Sequence, residues 1–168
     1  MKELKDLSDL LGHEIQVLHE GEKLIIAALP RIIQKSTNEA LKAALSQHLE
    51  ETQIQKQRLE QAARLLNISP EGDGNPSLKG LIAEGEKVFH KDSHPDTLDA
   101  AIIAGVQKVE HYEIAGYGAA AYYAEELGLQ SIADLLRQTL AEEKATDTRL
   151  NELAKRNINP KSAEAVKQ

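Results

Sequence analysis

Cysteine is absent from the 168 residues, so neither a disulfide nor a thiolate metal site is available to this chain. Tryptophan is absent and aromatics are scarce: Phe89 and four tyrosines, with all four tyrosines falling between Tyr112 and Tyr123. No apolar run approaches the length of a membrane span, which excludes a spanning helix. Basic residues are outnumbered, 20 Lys and Arg against 27 Asp and Glu, and the net charge of -7 argues against a general nucleic-acid surface. The chain opens on polar Met1-Lys2-Glu3 rather than on a charged-then-apolar leader, so a cytoplasmic protein is expected.

What is present favours helix. Ala, Leu, Glu, Lys and Gln are abundant, and the length suits one domain, 1–168, with a real core. Apolar residues step by three and four through Leu4, Leu7, Leu11, Ile15, Leu18, Ile25, Leu29 and Ile32, predicting a helix over about 4–35. Pro30 lies inside that pattern and is expected to kink its last turns. Ser36-Thr37-Asn38 reads as a short loop in which Ser36 or Thr37 caps the next helix, over about 38–66. Pro70, Gly72, Gly74 and Pro76 mark a longer loop. A short helix over about 78–91 follows, then long helices over about 96–127 and 130–155, with Gly128 between them as a C-terminal cap. Ser93 or His94 is expected to cap the first of these, and the polar tail from Asn157 is expected to fray. Two helical hairpins with tight turns, joined by a long crossover carrying a short fifth helix, give the connectivity of a ferritin-like four-helix bundle, an all-α fold.

The apolar stripes are interrupted. Glu22 stands where the first stripe asks for an apolar residue, His48, Glu51 or Thr52, and Gln55 fill the middle of the second, Glu110 and Glu113 share a face of the third, and Glu143 and Asp147 fall in the gap of the fourth. Counted from the tight turns, Glu22 and Glu51 lie at matching heights, roughly 14 and 15 residues away or some 21 to 23 Å at 1.5 Å per residue, and Glu113 and Glu143 match likewise. The interruptions therefore meet at mid-height. Like charges about 4 Å apart repel by roughly 4 kcal/mol even at an effective dielectric of 20. Such a layer needs protons, neighbouring cations or bound metal. Two divalent ions would supply the missing charge, and oxygen-rich ligation suits iron or manganese.

Glu22, Glu51, Glu113 and Glu143 are the leading candidate ligands, with Glu110, Gln55 and Asp147 beside them. The usual di-iron pattern places His three residues after Glu on two helices, whereas Ile54 and Thr146 occupy those positions here. His48 or Gln55 would replace the imidazole. His111 reads as exposed or supporting, and Tyr117 as a packed residue with a satisfied hydroxyl or one that orients a ligand. His13, His19, His90 and His94 read as surface residues. The small residues from Ala115 to Ala121 would admit another helix, within the bundle or across a dimer.

At these residues the chain resembles the YciE/YciF family, the DUF892 group of ferritin-like bacterial stress proteins. The segments that carry the resemblance are Gly21-Glu22-Lys23-Leu24, Ala28-Leu29-Pro30, His48-Leu49-Glu50-Glu51-Thr52, Lys108-Val109-Glu110-His111-Tyr112-Glu113-Ile114-Ala115 and Glu142-Glu143-Lys144-Ala145-Thr146-Asp147. The resemblance implies a homodimeric ferritin-like bundle with a two-metal site and a link to stress responses, without implying a particular reaction. Gln55 matches the family pattern, so the missing histidine is a family trait. Three functions follow. A di-metal protein would react with peroxide or dioxygen, a non-enzymatic one would sequester or be cross-linked by metal, and a helical interaction module would carry a protonated polar network indifferent to chelators.

Overall fold

The computed structural model describes residues 3–89 and 93–164, all helix and connecting turns. The helices are α1 (Leu7–Lys35), α2 (Glu39–Leu65), α3 (Pro76–Glu86), α4 (Pro95–Glu126), α5 (Gln130–Leu153) and α6 (Asn159–Glu164), with a π-helical turn at Ala154–Ile158 joining the last two. The four long helices form the bundle. Each hairpin packs internally, α1 on α2 and α4 on α5, and the hairpins meet through α1 on α4 and α2 on α5. The crossover carries α3 along the bundle, against α4 and α1.

Local chemistry sets the ends. Asp6 caps α1 through its bond from the Asp9 N–H. Asn38 caps α2, its side chain accepting from the Ala40 and Leu41 N–H groups, so neither Ser36 nor Thr37 holds that position. Those two hydroxyls are used elsewhere. Ser36 Oγ, Thr37 N, Thr37 Oγ1 and Asn38 N all donate to the buried carboxylate of Asp99 on α4, at 2.7 to 3.0 Å. One charged group thus ties the first hairpin's turn to the second hairpin. Asn75 caps α3 ahead of Pro76, and His94 precedes Pro95 at the start of α4 without a side-chain capping hydrogen bond. Gly128 takes φ +69° just past α4, the left-handed position a C-terminal cap requires.

Residues 157–164 do not fray, and 165–168 of the expected tail lie outside the described residues. The chain continues through the π-helical turn into α6, because Ile158 is fully buried at the bundle end and Thr97 Oγ1 meets Ser162 Oγ at 2.8 Å. The short helix begins earlier than its periodicity suggests, at Pro76, and ends at Glu86, with 90 and 91 of its expected span outside the described residues.

The apolar core falls into two clusters. One gathers Leu11, Ile15, Leu18, Leu59, Tyr117, Leu136 and a set of alanines. The other gathers Ile25, Leu29, Leu41, Leu45, Leu78, Ile102, Ile103 and their neighbours. In α1, Leu18 belongs to the first and Ile25 to the second, and Glu22 sits between them. In α4, Tyr117 and Val109 bracket Glu113 in the same way. A polar layer therefore separates two apolar ones.

Candidate metal centre

Each long helix delivers buried polar groups to this layer because its stripe does not pause in direction, only in chemistry. Residues i and i+3 or i+4 share a face whatever their polarity. Glu22 of α1, His48 and Gln55 of α2, Glu110 and Glu113 of α4 and Glu143 of α5 are all at most 1 % exposed. Charged groups are almost never this buried without compensation.

The tightest grouping is His48, Glu110 and Glu143. One ligand atom of each lies within 4.8 Å of the other two, a spacing suited to a metal ion. His48 Nε2 is 3.1 Å from Glu110 Oε1, yet the two are not aligned for a hydrogen bond. Gln55 Nε2 donates to Glu143 Oε1 at 2.5 Å and to Glu142 Oε2 at 3.2 Å. Tyr117, buried beneath, donates its hydroxyl to Glu22 Oε1. Many buried oxygens and nitrogens of the layer meet no hydrogen-bond partner among the described residues when the carboxyls are ionised: both oxygens of Glu110 and of Glu113, one each of Glu22 and Glu143, both nitrogens of His48 and Oε1 of Gln55, while a proton on Glu143 would let it donate to Glu110.

The electrostatics follow. Burial, then the charge of Glu143, pushes Glu22 up to about 8. Burial moves Glu110 to about 7, against the hydrogen bond from Glu143, which lowers it, and with Glu22, Asp147 and Glu51 adding to the rise. Glu113 lies well above the ordinary carboxylate range, through burial and then through Glu22, Glu143 and Glu110. Glu143 is raised by burial and by Glu110. Tyr117 is raised by burial and by the carboxylates of Glu22 and Glu113. Together these groups form one cluster of carboxylates competing to be neutral.

The remaining predicted residues lie around this centre. Glu51 is half-buried, accepting from Gln47 Nε2 at 2.7 Å and from Thr146 Oγ1 at 3.4 Å. Asp147 is half-buried too, accepting from Gln107 Nε2 at 2.9 Å, with His111 Nε2 3.4 Å away and His111 itself exposed. His94 is exposed and His13 half-buried, while His90 lies outside the described residues. His19 is not a surface residue: it is 3 % exposed between α1 and α2, its Nε2 3.5 Å from Glu60 Oε1. The α1 stripe is wider than the apolar pattern alone marks, and position 19 falls within it. Of the small-residue run, Ala120 and Ala121 are buried in the core, and a Cβ at Gly116 would come within 2.9 Å of Leu18 Cδ2, so this part admits α1.

Two supporting features escape sequence reasoning. Arg58 clamps Glu142 with both terminal nitrogens, at 2.5 and 2.8 Å, and Glu142 in turn receives Gln55. No spacing within one helix reveals a pair formed across two. Asp99 had a visible signal, since it lies three residues before Ile102 and seven before Val106 on the buried stripe of α4.

A four-helix bundle with a long crossover and a carboxylate-rich layer at its middle is a ferritin-like protein. The chain belongs to the DUF892 family, described as a domain of unknown function, whose model matches residues 6–163. It is similar to protein YciF of Escherichia coli strain K12, 39% identical over 160 residues that cover 95% of this chain and 96% of that one. The crystal structure of the E. coli stress protein YciF superposes with a TM-score of 0.88, covering 93% of this chain and 99% of that chain. YcfI of Rhodopseudomonas palustris, described as a candidate structural protein, is 42% identical with a TM-score of 0.85, covering 89% and 96%. A Xanthomonas campestris protein at 22% identity shares the fold, with a TM-score of 0.73 over 89% of this chain and 92% of that one. No helix among the described residues is long and apolar enough to cross a membrane.

Proposed function

We propose that this chain is a stress-linked ferritin-like protein whose buried layer holds two divalent metal ions, iron or manganese, for chemistry with peroxide or dioxygen. The observation that carries this reading is the set of buried carboxylate oxygens without partners around His48, Glu110 and Glu143. The donor set fits such ions: carboxylates from Glu22, Glu110, Glu113 and Glu143, one imidazole and one amide oxygen. Glu51 and Asp147 extend it toward the surface. When bound, the ions would supply electrons and open positions for an oxidant.

The protein's own part is positioning and charge control. Tyr117 fixes one oxygen of Glu22, leaving the other free to ligate. Gln55 does the same for Glu143, and the Arg58–Glu142 pair holds Gln55 in place. Burial excludes water and raises the carboxyl pKa values, so the metal-free layer holds protons that cation binding releases. The homodimer implied by the family resemblance and the cytoplasmic setting expected from the sequence belong to the same reading, as does one ferritin-like domain over 1–168.

Elemental analysis of protein purified without chelator tests it. About two iron or manganese ions per chain are expected, as in other bundles of this type, with loss in Glu110→Ala and Glu143→Ala. No metal as isolated, and none taken up when iron(II) or manganese(II) is supplied anaerobically, would overturn it. The second reading, a proton-sharing network in an interaction module, is favoured by the raised carboxyl pKa values. It predicts unfolding curves indifferent to chelator and to added metal.

A further inference from the structure

Two small cavities lie beneath α3. The outer, about 40 Å³, runs between α3 and α4, and its rim is made by the half-buried Leu81, Ile82, Gly85, Glu86 and Phe89. The inner, about 20 Å³, is lined by Ile25, Ala28, Leu29 and the ring of His48. They adjoin, because Ile32, Ile82, Val106 and Val109 line both. The walls are hydrocarbon. The polar side chains on them are Glu86 at the rim, already paired with Arg31 at 2.7 Å, and His48 at the inner end. His48 is also the imidazole of the candidate metal centre.

We infer that these cavities form an entry path for dioxygen from the surface under α3 to the His48 side of the centre. This rests on the metal reading and selects dioxygen from the oxidants it allows. A water needs about 10–15 Å³ and two to four polar partners, so the cavities have the room but offer a water few partners. Hydrogen peroxide, with two donors and four lone pairs, meets the same deficit. A small apolar diatomic needs no partner and loses no hydration of consequence. Larger organic molecules are excluded by volume. The branched residues of this half of the core hold the space open, since their stiff side chains do not collapse into it.

The path is tested first without any metal. Crystals of the metal-free protein pressurised with xenon should show xenon in both cavities, and density in neither would overturn the inference. Val106→Phe and Ile82→Phe should each abolish the xenon, while metal content and cooperative unfolding are kept. Ile82 is half-buried, so its variant stands in should Val106→Phe fail to fold. With iron(II) loaded anaerobically, each variant should slow oxidation by dissolved dioxygen about tenfold or more, equivalent to about 1.4 kcal/mol in the barrier. Oxidation by added peroxide should be nearly unchanged. Equal slowing with both oxidants, or no slowing with dioxygen, overturns the path. If no iron binds, the metal reading falls, and xenon alone decides whether the path exists.

Discussion

The two apolar cores on either side of the carboxylate layer differ in grain. The one around Leu11 and Tyr117 draws six of its buried residues from alanine, Ala62, Ala63, Ala120, Ala121, Ala124 and Ala133. Small side chains there let the helices approach closely, and Gly116 lies against Leu18 with no space for a methyl group. The one around Ile25 and Ile103 has a single alanine among its buried residues, Ala154, the rest being Ile, Leu and Val. Both apolar cavities under α3 are in this second core. The crossover helix α3 covers it, and the Asp99 tie secures its outer end. The difference teaches that one sequence of four similar stripes builds a core of small residues and close helices on one side of the polar layer and a core of branched residues with small apolar cavities on the other.

The largest expected effect concerns the layer between the two cores. Glu22 at about 8 and Glu110 at about 7 both lie above the carboxylate value of 4.5. A raised folded-state pKa means that the folded chain binds the proton more tightly than the unfolded one. Its contribution to stability is complete below about pH 4.5 and is lost as pH rises through the folded values, up to about 8. The metal-free protein should therefore lose several kcal/mol across that window. Urea unfolding at a series of pH values in chelator measures it. Glu22→Gln should flatten the profile, and added iron(II) or manganese(II) should reverse its slope, because metal replaces protons best where they are most weakly held. A flat metal-free profile would mean that the layer is more solvated than the two cores enclosing it.

Next comes the tie at the second core's end. Asp99→Ala removes the acceptor of four hydrogen bonds from Ser36, Thr37 and Asn38. A loss of about 3 kcal/mol is expected, the scale for orphaning several donors from a buried charged partner. Hydrogen exchange should speed up at the α1–α2 turn, and much less around Leu11 and Leu136. Uniform acceleration would show that the two cores open as one unit.

The smallest effect compares the cores most directly, by one change made twice in α4. Gly116→Ala forces its methyl against Leu18, and overpacking should outweigh the gain of about 1 kcal/mol in helix propensity, for a net loss of roughly 1–2 kcal/mol. Gly105→Ala meets only the Gly85 Cα, at 3.7 Å, so the propensity gain of up to about 1 kcal/mol should survive. Thermal or urea melts of the two variants should move in opposite directions. The same sign for both would remove the contrast in packing.

Much of this was legible beforehand because it depends on short-range chemistry. The 3.6-residue period placed four long helices, the Pro and Gly cluster at 70–76 placed the crossover, and interrupted stripes pointed to Glu22, Glu51, Glu110, Glu113, Glu143 and Asp147 at one height, of which Glu51 and Asp147 lie half-buried at its edge. Where local rules were applied to single residues they were less secure. Ser36 and Thr37 are good caps by composition, yet their hydroxyls bind Asp99, and Asn38 takes the cap. His19 looks like a surface residue until α2 covers it. Asn157 and its neighbours look like a polar tail until Ile158 finds the bundle end. Each outcome was decided by a partner more than twenty residues away.

The sequence by itself determined the helices, their order and the polarity of the layer, because helical periodicity and turn chemistry act over a few residues. Only the tertiary structure decided which carboxylates meet His48, which are held by Tyr117 and Gln55, and which stay at the edge as Glu51 and Asp147 do. It also decided which core packs through alanines and which through branched side chains. Rotation of each helix about its axis and the packing of side chains from different helices are collective results, set by filling the shared interior rather than by any one stripe.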